Sequence, residues 1–213
     1  MSTHTDDLVS IPVDDVELEG MLEIPADASG VVVFAHGSGS SRKSPRNNFV
    51  GEVIRDRGLG TLLFDLLTET EDQRRENRFN ISLLTDRLVG VTEWLRKRPD
   101  LGEASLGYFG SSTGAAAALR ATARVGDEID AVVSRGGRVD MAEAVLGEIC
   151  APTLFIVGGA DTEVLELNRR AAEDLTCEKE VHVVDGAGHL FEGEGELDEV
   201  ASVAADWFAE HLQ

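Results

Sequence analysis

The chain has 213 residues, with 40 Asp and Glu against 19 Lys and Arg, and a formal net charge of −21. Hydrophobic residues make up 42% and charged residues 28%, the composition of one globular domain over residues 1–213 rather than of a disordered chain. Over a folded surface of roughly 9,600 Å², that charge repels phosphate backbones and anionic lipid. This excludes nucleic-acid and membrane-surface partners and leaves a small-molecule substrate.

Residues 1–10 are polar and acidic and read as a flexible tail, not a signal peptide. No apolar run approaches the roughly 18 residues of a membrane span, so the expected location is cytoplasmic. Val16 to Ile24 alternates apolar and polar residues around Gly20, as antiparallel edge strands do. Val31 to Ala35 is short and wholly apolar, the mark of a strand buried on both faces. Phe49 to Arg57 is amphipathic and stops at Gly58, which predicts a helix. Thr61 to Leu67 is the second buried strand. The polar stretch Thr68 to Asn80 is a long loop that either folds over the site or is simply solvated. Ile81 to Arg98 reads as a helix, Ser105 to Phe109 as the third buried strand and Ser112 to Arg124 as a helix. Ala131 to Ser134 is the fourth, with a short helix over Met141 to Leu146. Thr153 to Val157 is the fifth, with a helix from Val164 to Leu175. Glu180 to Val184 is the sixth, and Leu197 to Leu212 is a closing helix.

Buried strands alternating with amphipathic helices predict an α/β fold, a mostly parallel sheet with helices on both faces. Ligands bind such sheets at the carboxyl ends of the strands. The third buried strand runs there into Gly110-Ser111-Ser112-Thr113-Gly114. This is G-x-S-x-G, a strand-to-helix turn that exposes a serine hydroxyl in a strained backbone conformation. The fifth ends in Gly158-Gly159-Ala160-Asp161, and the sixth in Gly186-Ala187-Gly188-His189. The chain order Ser112, Asp161, His189 is that of nucleophile, acid and base in one hydrolase fold. Asp161 could instead cap the helix after it, with Glu163 or Asp140 then serving as the acid. The first buried strand ends in His36-Gly37-Ser38-Gly39. This loop and the residue after the nucleophile predict an oxyanion hole built from the backbone N–H groups of Ser38 and Thr113. His36 and Arg135 are candidate substrate contacts, His36 with a competing role in holding its loop, Arg135 with a competing pairing to Asp140.

Other signals are weaker. Gly37-x-Gly39 and Asp65 make half of a dinucleotide fingerprint, but Arg42 replaces the third glycine. Cys150 and Cys177 form no disulfide framework and no metal spacing. Glu192, Glu194 and Glu196 read as a solvated acidic loop. No metal and no cofactor is expected. Between Ser112 and Asp161 there is no room for a cap domain, so the pocket should be open.

These motifs, with Tyr108-Phe109-Gly110-Ser111-Ser112-Thr113-Gly114 and Ser134-Arg135-Gly136-Gly137-Arg138, make residues 16 to 212 resemble the α/β-hydrolase superfamily. Within it the chain is similar to the small, lidless dienelactone-hydrolase-like group. Some members of that branch are fused to phosphoribosyltransferase domains, which these residues do not contain. The resemblance implies a serine hydrolase of carboxylic esters without a cofactor. Dienelactone hydrolases proper use a cysteine nucleophile where this chain has Ser112, so the lactone substrate does not carry over. Two readings from other classes are a catalytically silent scaffold and an acyltransferase using an acceptor other than water. Finally, abundant acids with only three lysines (Lys43, Lys97, Lys179) resemble the surfaces of proteins from halophilic organisms. The oligomeric state is left open.

Overall fold

The computed structural model describes residues 5–213. Its strands are β1 (Thr5–Val13), β2 (Val16–Ile24), β3 (Gly30–Ala35), β4 (Gly60–Phe64), β5 (Ser105–Ser111), β6 (Ala131–Arg135), β7 (Thr153–Gly158) and β8 (Lys179–Val184). Its helices are α1 (Pro45–Asp56), α2 (Glu69–Asp72), α3 (Ile81–Arg96), α4 (Thr113–Val125), α5 (Thr162–Asp174) and α6 (Glu196–His211). The eight strands form one sheet in the order β1-β2-β4-β3-β5-β6-β7-β8. From β4 to β8 every pairing is parallel, while β1–β2 and β2–β4 are antiparallel.

The apolar strands divide their side chains between two cores. Val31, Val33 and Leu106 pack on one face with Leu88 and Val91 of α3 and Ala117 of α4. Val32, Phe34 and Phe109 pack on the other with Ile54 of α1 and Ala204 and Phe208 of α6. The period of two along each strand makes this division, and burial on both faces is why these strands read as unbroken apolar runs.

β1 corrects the expected tail over residues 1–10. Residues 5–13 pair with β2 from Thr5↔Ile24 to Val13↔Val16, and only residues 1–4 of that tail lie outside the described residues. Ile11 and Val13 are buried and Val9 half-buried, while Leu8 is 82% exposed. The alternation Val9-x-Ile11-x-Val13 supplies one inward face, which the acidic composition of the segment conceals. The expected helix near Met141 is instead a 3-10 segment over Val139–Glu148. The stretch Thr68 to Asn80 is partly ordered. α2 carries a capping box between Thr68 and Glu71, and a 3-10 turn covers Asn77–Phe79. Glu71 pairs with Arg87 at 2.7 Å, and Arg78 chelates Asp72 at 2.8–2.9 Å.

β3 and β5 are neighbours whose following helices, α1 and α4, lie on opposite faces of the sheet. The crevice at their carboxyl ends is a topological switch point, and every candidate catalytic residue lies at this edge.

Candidate active site

β5 delivers Ser112 at the N-cap of α4 with φ 51° and ψ −117°, a conformation that costs a non-glycine residue of order 1–3 kcal/mol. Its neighbours hold it there. The Ser112 N–H donates to the Arg135 carbonyl at 3.1 Å, and its own carbonyl accepts from Ala115 and Arg138 at 3.1 Å each. The two motif glycines allow the tight turn. A Cβ at Gly110 would overlap the backbone of Ala115, and one at Gly114 the carbonyl oxygen of Ala35.

The loops after β7 and β8 are tied together by backbone bonds. Gly159 N–H donates to Val184 O at 2.8 Å and Ala160 N–H to Ala187 O at 2.9 Å. This clamp brings His189 Nδ1 within 2.7 Å of Asp161 Oδ2. Asp161 stands at the N-cap position of α5, yet its side chain makes no capping bond. The Asp161 side chain is 17% exposed and the imidazole 39%, so the carboxylate is shielded and the ring faces the cleft. Asp140 chelates Arg138 at 2.8–2.9 Å instead, and this bond holds its carboxyl below the usual range. Ser112 and His189 line one open cavity of about 550 Å³. No hydrogen bond joins Ser112 to the ring among the described residues, a looseness common in unliganded sites.

The β3–α1 loop lies against the elbow. A Cβ at Gly37 would stand 3.3 Å from Ser112 Cβ. The Ser38 N–H, an expected oxyanion donor, is engaged with the Thr113 hydroxyl at 2.9 Å. The Thr113 N–H, at the first turn of α4, has no acceptor among the described residues. His36 is 7% exposed and lines not the Ser112 cavity but two adjacent ones. Its Nε2 accepts the Leu66 N–H at 3.0 Å, and Nδ1 donates to the Gly37 carbonyl at 2.9 Å. Burial pushes its pKa below 6.5, and those two bonds fit the neutral ring.

Arg135 lines the cavity and is not paired with Asp140. Lys43 and Arg46 line it too. The signal that could have found them is basic residues, rare in this chain, just after a buried strand's carboxyl end. The Thr68 to Asn80 stretch flanks the β3–α1 loop through Arg78, near Gly39, but does not line this cavity. Asp65 is bound by the Arg42 backbone N–H at 2.7 Å and by its guanidinium, which engages the acid of the half dinucleotide fingerprint. Cys150 and Cys177 are free thiols. Among the described residues no group of three or more His, Cys, Asp or Glu side chains could hold a metal ion, and no helix is long and apolar enough to cross a membrane.

The arrangement offers a hydroxyl on a strained turn, a carboxylate-bound imidazole and N–H groups beside them, the parts of nucleophilic acyl chemistry. Comparison with known proteins shows the family and the fold. The chain is 49% identical to a crystal structure of dienelactone hydrolase from Anabaena variabilis, with a TM-score of 0.97 over 99% of each chain. Est1E from Butyrivibrio proteoclasticus shares the fold at 15% identity and a TM-score of 0.83, over 96% of this chain and 98% of that one. Two Mycobacterium tuberculosis proteins, from strains CDC 1551 and H37Rv, are each named putative phosphoribosyl transferase. They are 52% identical over 97% of this chain and 47% of their own length. The chain thus spans about half the length of these curated relatives. The dienelactone hydrolase family matches residues 18–213, and the chain belongs to that family.

Proposed function

We propose that the chain is a serine hydrolase that cleaves a carboxylic ester, or a related acyl bond, of a small soluble substrate through an acyl-enzyme. The observation that carries this reading is the 2.7 Å contact of Asp161 with His189, in the cavity where Ser112 sits on its strained turn. His189 Nδ1–H donates a hydrogen bond to Asp161, which leaves Nε2 as the base. Ser112 Oγ attacks the acyl carbon and gives its proton to His189. The carbonyl oxygen becomes an oxyanion at the Thr113 N–H, beside the Ser38 N–H that the Thr113 hydroxyl holds. Collapse breaks the bond to the alcohol, which leaves with the proton from His189. Water then repeats the sequence, and the acid and the free enzyme are released.

The phosphoribosyl transferase name belongs to relatives about twice as long, and the residues matched here carry a hydrolase elbow. The same reading takes residues 1–213 as one cytoplasmic domain without nucleic-acid partners, from an organism with a salt-rich cytoplasm. A fluorophosphonate probe tests the mechanism. It should label Ser112 in the wild type and leave Ser112→Ala unlabelled. A folded wild type that does not react would favour a silent scaffold. Acyl products formed from added alcohols, amines or peroxide in preference to hydrolysis would favour an acyltransferase.

A further inference from the structure

The cavity holding Ser112 and His189 has the opposite charge to the protein around it. The chain carries −21, and a neighbouring cavity has five acids, among them Glu17, Asp65 and Asp72, against Arg42 and Lys43, the latter shared with the Ser112 cavity. The Ser112 cavity is lined by Lys43, Arg46 and Arg135 and by no Asp or Glu. Its only large apolar side chains are Pro45 and Leu190, and most of the remaining lining is glycine and serine. Such a wall gives little to a long acyl chain or an aromatic ring, and much to a hydrogen-bonding anion.

Arg135 makes this more than a charge count. It ends β6, paired with Ser111 and bonded through its carbonyl to the Ser112 N–H. Its guanidinium lies over the Phe109 ring, 5.9 Å from the centroid. Nη1 is sealed from solvent without a hydrogen-bond partner, and no described carboxylate lies within 4.0 Å of its nitrogens. Burial, with Arg46 nearby, pushes its pKa down to about 10. It nevertheless stays charged at neutral pH; the side chain is half-buried, and a sealed nitrogen without a partner is costly. A protein with 40 acidic residues places none beside it. Arg46 has only a weak, exposed partner in Glu192 at 3.6 Å. α1 begins at the same cavity with Ser44 as its N-cap, and its first turn contains no acid, although acids are favoured there.

We propose that this cavity binds the phosphate of a phosphorylated substrate, so that the enzyme cleaves a short acyl ester of a small phosphorylated alcohol; this rests on the reading of Ser112 as the nucleophile. A phosphomonoester carries about −1.5 to −2 at pH 7 and three acceptor oxygens. It therefore matches three cations better than one carboxylate does. Arg135, Arg46 and Lys43 supply charge, and the serine-rich loop supplies neutral donors.

The test is inhibition of p-nitrophenyl acetate hydrolysis by inorganic phosphate at constant ionic strength, with malonate as the carboxylate arm. Phosphate should compete, and Arg135→Gln and Arg46→Gln should each raise its inhibition constant about tenfold or more. Arg170→Gln, at an exposed pair on α5 remote from the cavity, controls for net charge. Arg46→Gln, in the first turn of α1 with its side chain 38% exposed, keeps the test alive should Arg135→Gln fail to fold. Malonate inhibiting as well as phosphate, or no inhibition by millimolar phosphate, would overturn the proposal. If p-nitrophenyl acetate is not cleaved, the hydrolase reading fails by itself. Calorimetric binding of phosphate, lost in both arginine variants, would still uphold the anion site, and absence of binding would refute it.

Discussion

The backbone N–H of Ser38 donates to the hydroxyl of Thr113 at 2.9 Å, so the two residues expected to build the oxyanion hole hold one another in place. The bond spans 75 positions of sequence and pins the β3–α1 loop against the start of α4. Oxyanion stabilisation depends on donors that are fixed before charge develops. Thr113→Val keeps the shape and removes the tether. The expected result is a fall in kcat of about tenfold, or about 1.4 kcal/mol of barrier, with KM for a neutral ester little changed. Steady-state kinetics decide the sign. A rise in kcat would mean that the hydroxyl only competes with the oxyanion for the Ser38 N–H.

Ser112 makes a separate claim about stability. Its φ of 51° with ψ −117° suits glycine, and Ala suffers the same clash as Ser. Ser112→Ala should therefore be inactive with unchanged stability. Ser112→Gly should be inactive and more stable by about 1 kcal/mol, the released strain less glycine's chain-entropy cost. Denaturant melts of the three proteins check the order. A destabilised Ser112→Gly would show that the elbow stores no strain.

Asp161 separates catalysis from helix capping. It occupies the N-cap of α5 without a capping bond and spends its carboxylate on His189. Asp161→Asn removes the charge that stabilises imidazolium and permits the wrong ring tautomer. The loss should fall on kcat and approach ~10⁴-fold, as in serine proteases. Stability should stay within about 0.5 kcal/mol, because Asp161 makes no capping bond for the variant to lose. A loss of activity below about tenfold would remove Asp161 from the mechanism.

The interior of this fold is legible in the sequence because strands buried on both faces are unbroken apolar runs, as Val31 to Ala35 and Leu154 to Val157 are. The edge is not. β1 declares itself only through Val9, Ile11 and Val13 amid acids, with Leu8 pointing outward. Asp161 and His189 stand out because each follows a buried strand in a glycine-rich turn, where few functions other than chemistry or capping compete. Loop-to-loop contacts carry no such signal. The Ser38–Thr113 tether, the Arg42–Asp65 pair and the approach of Lys43 and Arg46 to the Ser112 cavity arise from chain paths that no local pattern encodes.

His36 gives the site an acid limit. Burial is the largest influence on its pKa, which lies below 6.5, although Gly37, Asp65 and Asp72 pull it upward. Between the unfolded and folded values, the unfolded chain binds a proton that the folded protein refuses. Stability is thus fully present above the unfolded value and is lost as pH falls from there towards the folded pKa. His36→Gln removes this titration. Melting temperatures measured between about pH 7.5 and 5.5 should fall more steeply for the wild type than for the variant. Parallel curves would mean that His36 accepts its proton without loss.

Salt should stabilise the protein, and two opposing effects set the size. Added salt screens the exposed ion pairs, such as Arg170–Glu166 at 3.0 Å and Lys97–Glu93 at 3.9 Å. Each contributes about 0–1 kcal/mol, so losing them costs little. The same screening relieves repulsion within a net charge of −21, most of it between acids that have no cation to pair with. That repulsion acts across the whole surface while the Debye length is about 10 Å, at 0.1 M salt, and collapses when it is about 3 Å, at 1 M. The long-range term therefore wins. Each kcal/mol gained raises Tm by about 2–4 °C in a domain of this size, and a rise of at least that much is expected between 0.1 and 2 M potassium chloride. Chloride is the right anion, because sulfate stabilises proteins generally by exclusion from their surfaces. A flat or falling Tm would show that the acids are not crowded enough to repel one another, and the halophilic reading of the composition would go with it.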